Sequence, residues 1–192
     1  MAGHQGDTAL ARAGLRSADP GVRAAALGAL ERLGVAGDVD VAAALEDEDP
    51  VVRRRAATLA ARHPGVDLLT ALGDSEATVI EVAAWACGER QLVGEDVVRR
   101  LIELATAPSA DPLVRESSVA ALGAIGDERG LDAILTATED RPPIRRRAVL
   151  ALAPFLDPAH ARASEIAAAL RRALEDRDWQ VRQAAEDLLP RD

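Results

Sequence analysis

One helix opening recurs along the chain and constrains the fold more than any other feature. It begins the segments DPGVRAAALGALERLG at Asp19, DPVVRRRAATLAARHP at Asp49 and DPLVRESSVAALGAIG at Asp111. Aspartate before proline favours a helix start, because the carboxylate accepts from free backbone N–H groups and proline needs no donor at the first helical position. The recurrence therefore predicts a protein built from repeated helices.

The apolar residue before the recurring arginine sets the register of the repeat. Six such residues follow one another at intervals of about 27 to 37 residues, in the range of helical solenoid repeats: Val22, Val52, Val79, Val114, Ile144 and Val181. Apolar side chains return five, eight and eleven residues later, as in Leu27, Leu30 and Leu33, in Val119, Leu122 and Ile125, and in Val149, Leu152 and Phe155. This spacing predicts one apolar stripe on a helix, called helix B.

A second apolar-periodic segment, called A, precedes each helix B. An A–B pair cannot bury its own apolar faces, so the copies must stack on one another. The sequence predicts a single all-α domain over 1–192, a right-handed α-solenoid of six helix pairs at approximately 7–34, 38–63, 65–90, 94–126, 127–156 and 158–189. In the sixth repeat Glu186 takes the plus-five position and Pro190 ends the helix, which is typical of a terminal repeat.

Composition argues against several function classes. The net charge of −9 opposes a general affinity for nucleic acid or anionic membranes, although all 23 basic residues are arginine. A secretory signal and a membrane-spanning stretch are absent from the sequence, which predicts a cytoplasmic protein. Cys87, the single cysteine, is expected to be buried and inert. His4, His63 and His160 lack metal-ligand spacing, so we expect neither a metal nor a cofactor.

The pattern resembles the HEAT-repeat family, especially the short HEAT-like repeats of phycobilisome lyases. The D-P-x-V-R opening, the segment AALGAIGDERGLDAIL and the stretch AAWACGE around Trp85 carry the resemblance, which covers roughly residues 7–189. It implies the fold more than a function, because such repeats serve unrelated tasks. It also implies a ladder of caps and ion pairs between successive repeats, formed by Asp19, Arg23, Asp49, Arg53, Asp111, Arg115, Arg145, Asp178 and Arg182. Repeat three departs from the ladder with Glu76 and Ile80.

In similar solenoids the B helices line a concave groove, which supplies the candidate binding residues. They are Arg54, Arg55, Thr58, Arg62, Glu81, Trp85, Glu89, Glu116, Arg146, Arg147 and Leu150. Trp85 has two interpretations, contact with a partner or packing between neighbouring B helices. Trp179, which opens the last B helix, is predicted to pack over the end of the core.

Acidic runs occupy several of the turns between A and B: Glu46 to Asp49, Glu139 and Asp140, and Glu175 to Asp178. Stacking aligns these turns along one edge. We expect a solvated acidic edge, with recognition of a basic partner, or catalytic or cation-binding carboxylates, as alternatives.

The sequence favours a non-enzymatic scaffold, monomeric by itself, that presents its B-helix groove to a protein or peptide. One alternative is a chromophore- or ligand-handling subunit, as the resemblance to the lyases implies. Another is a HEAT-like DNA glycosylase, since Trp85 and Glu89 lie one turn apart. The acidic charge and the scarcity of aromatic residues count against a glycosylase. The sequence contains no nucleophile elbow, phosphate-binding glycine loop or cofactor fingerprint.

Overall fold

Helices make up the secondary structure of the chain. The structure, a computed structural model, describes residues 2–90 and 94–189, and over these residues it contains eleven α-helices and no strand. The chain forms two compact units, Met1–Ala86 and Cys87–Asp192. The prediction of an all-α repeat fold is confirmed.

The first unit contains repeats one and two and most of repeat three. Its helices are α1 (Ala2–Gly14), α2 (Pro20–Arg32), α3 (Asp38–Leu45), α4 (Pro50–Ala60) and the start of α5 (Ala77–Arg90). Each A helix packs on its own B helix, α1 on α2 and α3 on α4. The B helices α2 and α4 also pack on each other, which stacks repeat two on repeat one.

The A segment of repeat three forms a short 3₁₀ turn, Ala71–Gly73, rather than an α-helix. Pro64 and Gly65 on one side and Gly73 on the other leave too few residues to offset the cost of helix nucleation. Leu68 and Leu72 are nevertheless fully buried. The segment therefore contributes its apolar side chains to the core without a regular helix.

The second unit contains the end of α5 and repeats four to six. Its helices are α6 (Glu95–Thr106), α7 (Pro112–Ile125), α8 (Leu131–Ala137), α9 (Pro142–Ala151), α10 (Ala163–Leu174) and α11 (Trp179–Leu188). The B helices α7, α9 and α11 pack in succession. Gly123 lets α7 approach α9 closely, because a Cβ there would lie 2.5 Å from the Cα of Ala151.

The register residues lie in the core with one exception. Val52, Val79, Val114, Ile144 and Val181 are buried, as are most residues at the plus-five and plus-eight positions. Val22 instead is 45% exposed, because it lines an open apolar groove with Leu10 and Leu33 between α1 and α2. Glu186 is exposed, as expected of a terminal repeat, whereas Pro190 lies outside the described residues.

The recurring aspartates cap the B helices. Asp19 Oδ1 accepts from Gly21 N at 2.7 Å, and equivalent bonds to the second helical residue occur at Asp49 (2.9 Å), Asp111 (2.8 Å) and Asp178 (2.8 Å). Each carboxylate thereby satisfies a backbone donor that has no partner within its helix. Local sequence chemistry thus fixes where these four helices begin.

The arginine at position plus one joins one A–B turn to the next. Arg53 Nη1 donates to the carbonyl oxygens of Asp47 and Glu48 in its own turn, at 2.9 and 3.0 Å. Its Nε and Nη2 donate to Asp74 in the following turn, at 2.6 and 2.9 Å. Three further pairs follow the same order along the chain: Arg23 with Asp47, Arg115 with Asp140, and Arg145 with Asp176.

The paired aspartates are therefore not the capping aspartates that the alignment singled out. Asp47, Asp74 and Asp176 stand two residues before the cap, and each also accepts from the backbone N–H two residues later. Hydrogen bonds from the partner arginines lower the pKa of all three carboxyls. Two positions of this link differ in the sequence. Ile80 of repeat three stands in the place of the arginine, and Ser109 of repeat four stands in the place of the acceptor aspartate.

Candidate interaction faces on the B helices

The candidate residues divide between the two compact units. The first-unit B face consists of Arg54, Arg55, Arg62, Glu81 and Trp85. The second-unit B face consists of Glu89, Glu116, Arg146, Arg147 and Leu150, together with Trp179, Gln183 and Asp187, which the sequence analysis did not assign to a face.

The arginines of the first-unit B face have different surroundings. Arg54 is exposed, and no carboxylate among the described residues pairs with it. Arg62 is also exposed, with Nη1 3.8 Å from Glu31 Oε1. Arg55 is half-buried, and its guanidinium lies directly against Gly28 of α2. Arg54 and Arg62 are thus accessible cations, whereas Arg55 contributes to packing.

Trp85 lies with nearly half of its surface exposed. Its side chain is 46% exposed, while Ala84 and Ala86 beside it are fully buried. Glu81, one turn earlier on α5, is half-buried. The indole thus contacts the protein on one side and presents a large apolar surface on the other. Its role in binding stays a prediction.

The second-unit B face contains one compensated and one uncompensated arginine. Arg147 Nη2 lies 3.5 Å from Glu116 Oε1. Arg146, its neighbour in sequence, is exposed and has no carboxylate partner among the described residues. Leu150 is half-buried one turn further along α9, and Glu89 is exposed near the end of α5.

The prediction that Trp179 packs over the end of the core is wrong. Trp179 is 64% exposed and is the first residue of α11. A side chain at a helix start projects back towards the N-terminus, which here carries it away from the packed part of α11. The exposure of Trp179 could have been predicted from the sequence. Four of the other repeats have the proline that opens the helix at the same position: Pro20, Pro50, Pro112 and Pro142.

Trp179 lines a small open cavity on the second-unit B face. The cavity has a volume of about 100 Å³, and Arg146, Leu150 and Gln183 contribute to its walls. Gln183 Nε2 donates to Asp187 Oδ1 at 2.9 Å along the same helix. Apolar, cationic and amide groups therefore meet at this place.

His63 forms an internal link in the first unit. It is 9% exposed, with Nδ1 2.9 Å from Asp38 Oδ1 and Nε2 2.9 Å from Glu31 Oε2. Burial lowers the pKa of the imidazole, but hydrogen bonds to Glu31 and Asp38 outweigh this and raise the pKa above its usual value. The link joins α2, α3 and the end of α4, which is a structural role that the loop position did not predict.

The remaining candidate groups are the single cysteine and the two other histidines. Cys87 is buried, as predicted, and His160 Nε2 lies 2.7 Å from Glu128 Oε1, while the side chain of His4 lies outside those described. Among the described residues, no three histidine, cysteine or acidic side chains cluster as metal ligands would. The described helices also include none long and apolar enough to cross a membrane.

The acidic turns have two kinds of carboxylate. Asp47, Asp140 and Asp176 are largely buried in the arginine pairs. The glutamates beside them are exposed, namely Glu46, Glu48, Glu139 and Glu175. In each unit the acidic turns are therefore solvated only in part, since these aspartates hold successive turns together.

Comparison with known proteins identifies the repeat type. Residues 65–153 match the family of HEAT repeats. The structure is similar to a designed armadillo repeat protein in complex with the peptide (KR)4, with a TM-score of 0.68 and 16% identity over 95% of this chain and 97% of that chain. It is also similar to the complex of CpcE and CpcF of phycocyanin lyase from a Nostoc species, with a TM-score of 0.64 and 23% identity over 93% of this chain and 74% of that chain.

A third similar structure is a computationally designed armadillo repeat protein for modular peptide recognition, with a TM-score of 0.62 and 18% identity over 96% of this chain and all of that chain. At such identities the likeness shows the fold alone. No curated protein matches the sequence.

Proposed function

Because the chain is a HEAT-like repeat protein, we propose that it acts as a non-enzymatic scaffold that binds a protein or peptide through its B faces. Repeat folds of this kind position side chains along stacked helices and leave the outer positions free for recognition. The two B faces described above supply such positions in each compact unit.

The observation that carries the proposal is the exposure of both tryptophans. The chain has only two tryptophans, one phenylalanine and no tyrosine, so large aromatic surface is scarce. Phe155 is buried, whereas Trp85 and Trp179 are 46% and 64% exposed. An indole left in water forgoes the stabilisation that its burial would give. Tryptophan and arginine are also the residues most enriched at interface hot spots.

Accessible arginines on the same B faces as the tryptophans support the same proposal. Arg54 on the first-unit B face and Arg146 on the second-unit B face are exposed and lack a carboxylate partner among the described residues. A guanidinium of this kind can form two parallel hydrogen bonds to a carboxylate, which fixes the orientation of a bound chain. One designed armadillo neighbour is in complex with the peptide (KR)4 and another was designed for modular peptide recognition, which supports peptide binding as a function of similar helical stacks.

A peptide-display experiment tests the proposal directly. The full chain is panned against a random peptide library, and the dissociation constants of the selected peptides are measured by calorimetry. For peptides that bind the first-unit face, Trp85→Ala should weaken binding by about 2 kcal/mol, roughly thirtyfold, as hot-spot truncations do. Arg171→Ala, an exposed site on helix α10, serves as the matched control.

The fold is monitored by circular dichroism during heating. Trp85→Ala should leave the melting temperature nearly unchanged if the indole is a contact residue. A loss of several degrees together with unchanged peptide binding would show that Trp85 is a packing residue. Failure to select any peptide that binds in solution would refute the scaffold proposal.

A further inference from the structure

We infer that the cavity beside Trp179 binds an acidic peptide segment in which an aliphatic side chain adjoins a carboxylate. The inference rests on the proposed scaffold function and specifies the partner chemistry of the second-unit B face. The net charge alone would suggest the opposite kind of ligand, since a chain of net charge −9 is expected to attract basic partners.

The size and the lining of the cavity indicate which apolar side chain of a ligand would fit it. A volume of about 100 Å³ corresponds to roughly three water molecules in the liquid, which suits a branched aliphatic side chain. Trp179, Leu150 and Ala184 provide apolar wall, and Trp179 is the most exposed of the three. A leucine or valine placed there would bury part of the indole surface.

The charged side chains near the cavity indicate which polar group the ligand should carry. On the second-unit B face Arg147 is compensated by Glu116 at 3.5 Å, and at the cavity one oxygen of Asp187 accepts from the neutral amide of Gln183 at 2.9 Å. Of the charged side chains that line the cavity, Arg146 is the one with no hydrogen-bond or ion-pair partner among the described residues. Its guanidinium donors are therefore free for a carboxylate from outside.

A cationic ligand is the alternative that the cavity must be tested against. A lysine could stack on Trp179 and approach Asp187. Arg146 would repel it at short range, and Gln183 already occupies one Asp187 oxygen. The unpaired arginine thus favours an anion over a cation at this place.

Four fluorescein-labelled peptides of equal length test the inference in a two-by-two design. They alternate glutamate with leucine, glutamate with serine, lysine with leucine, and lysine with serine. Binding to the full chain is followed by fluorescence anisotropy. We expect the glutamate–leucine peptide to bind at least tenfold more tightly than the other three. In Trp85→Phe, where Trp179 is the sole tryptophan, the same peptide should shift the indole emission to shorter wavelength.

Variants assign the contacts. Arg146→Gln and Trp179→Ala should each weaken the glutamate–leucine peptide at least tenfold, whereas Arg171→Gln, an exposed arginine outside the cavity, should not. All variants should keep the thermal melting curve of the parent.

Three outcomes would overturn the inference and still separate it from the scaffold proposal. One is tighter binding of the lysine–leucine peptide with loss of binding in Asp187→Asn, which would make this a site for basic peptides. Another is glutamate–leucine binding that neither Arg146→Gln nor Trp179→Ala affects. The third is no binding of any of the four peptides while display-selected peptides bind through Trp85. Failure of the display selection as well would remove both proposals.

Discussion

Replacing Arg53 with alanine removes the four hydrogen bonds by which its side chain joins its own A–B turn to the next one. Two of them go to the carbonyl oxygens of Asp47 and Glu48, and two to the carboxylate of Asp74. The side chain of Asp74 is only 7% exposed. The variant therefore leaves a nearly buried carboxylate without its cation.

The expected loss follows from that geometry. Removing one partner of a buried ion pair costs about 3–5 kcal/mol, because the remaining charge is not compensated. Asp74 keeps the hydrogen bond from Glu76 N at 2.9 Å, so we expect the lower end of that range, about 3 kcal/mol. For a chain of this size the melting temperature should fall by roughly 6–12 °C.

Arg182→Ala is the matched control for this measurement. Arg182 Nη1 donates to the carbonyl oxygens of Asp176 and Arg177 at 2.7 and 3.2 Å, but no carboxylate among the described residues pairs with it. Its removal should cost about 1 kcal/mol. Both variants are unfolded in urea and by heating at pH 7, followed by circular dichroism. Equal losses in the two variants would refute the argument, since the Arg53–Asp74 pair would then add no stability.

Two further perturbations test packing and the histidine link. Gly123→Ala should lower the free energy of unfolding by about 2 kcal/mol in urea titrations, since its Cβ would meet the backbone of Ala151 at 2.5 Å; Gly28→Ala should be neutral or stabilising, because only the flexible end of Arg55 obstructs it. Equal changes in the free energy of unfolding for Gly123→Ala and Gly28→Ala would contradict this explanation. The raised pKa of His63 means that its stabilisation is complete below the unfolded value of about 6.5 and is lost as pH rises through the folded value. The melting-temperature difference between the parent and His63→Gln should therefore shrink as pH increases from about 6, and a constant difference would refute the link.

Local chemistry explains why much of the fold could be predicted. The Asp–Pro openings satisfy free N–H groups within a few residues, so Asp49 and Asp111 mark helix starts without knowledge of the tertiary structure. The apolar spacing likewise identifies the buried side of each B helix. The A segment of repeat three was predicted as a helix from the apolar periodicity that all A segments share, but its length did not permit one.

The ion pairs between turns and the exposed faces could not be predicted from local sequence. The first require knowledge of how distant turns stack, and the second require the side-chain positions. The acceptor Asp74 lies 21 residues from Arg53 in the sequence, and only the stacking of the turns brings them together. Aspartates inside acidic runs looked like solvated surface for the same reason. The exposure of Trp179 could have been inferred by aligning it with the prolines that open other B helices. Pairing of Arg147 with Glu116, which leaves Arg146 unpaired, required the side-chain positions themselves.

The link between turns also bears on how an array of this kind can change its length. Repeat two carries both halves, Asp47 to receive the arginine before it and Arg53 to reach the aspartate after it. A tandem duplication of that repeat would supply a new acceptor and a new donor together, so the links on both sides of the inserted repeat would close without a second mutation. A duplicated repeat three would bring an acceptor in Asp74 but only Ile80 in the donor position. Growth of the array by gene duplication is therefore easier at repeat two than at repeat three.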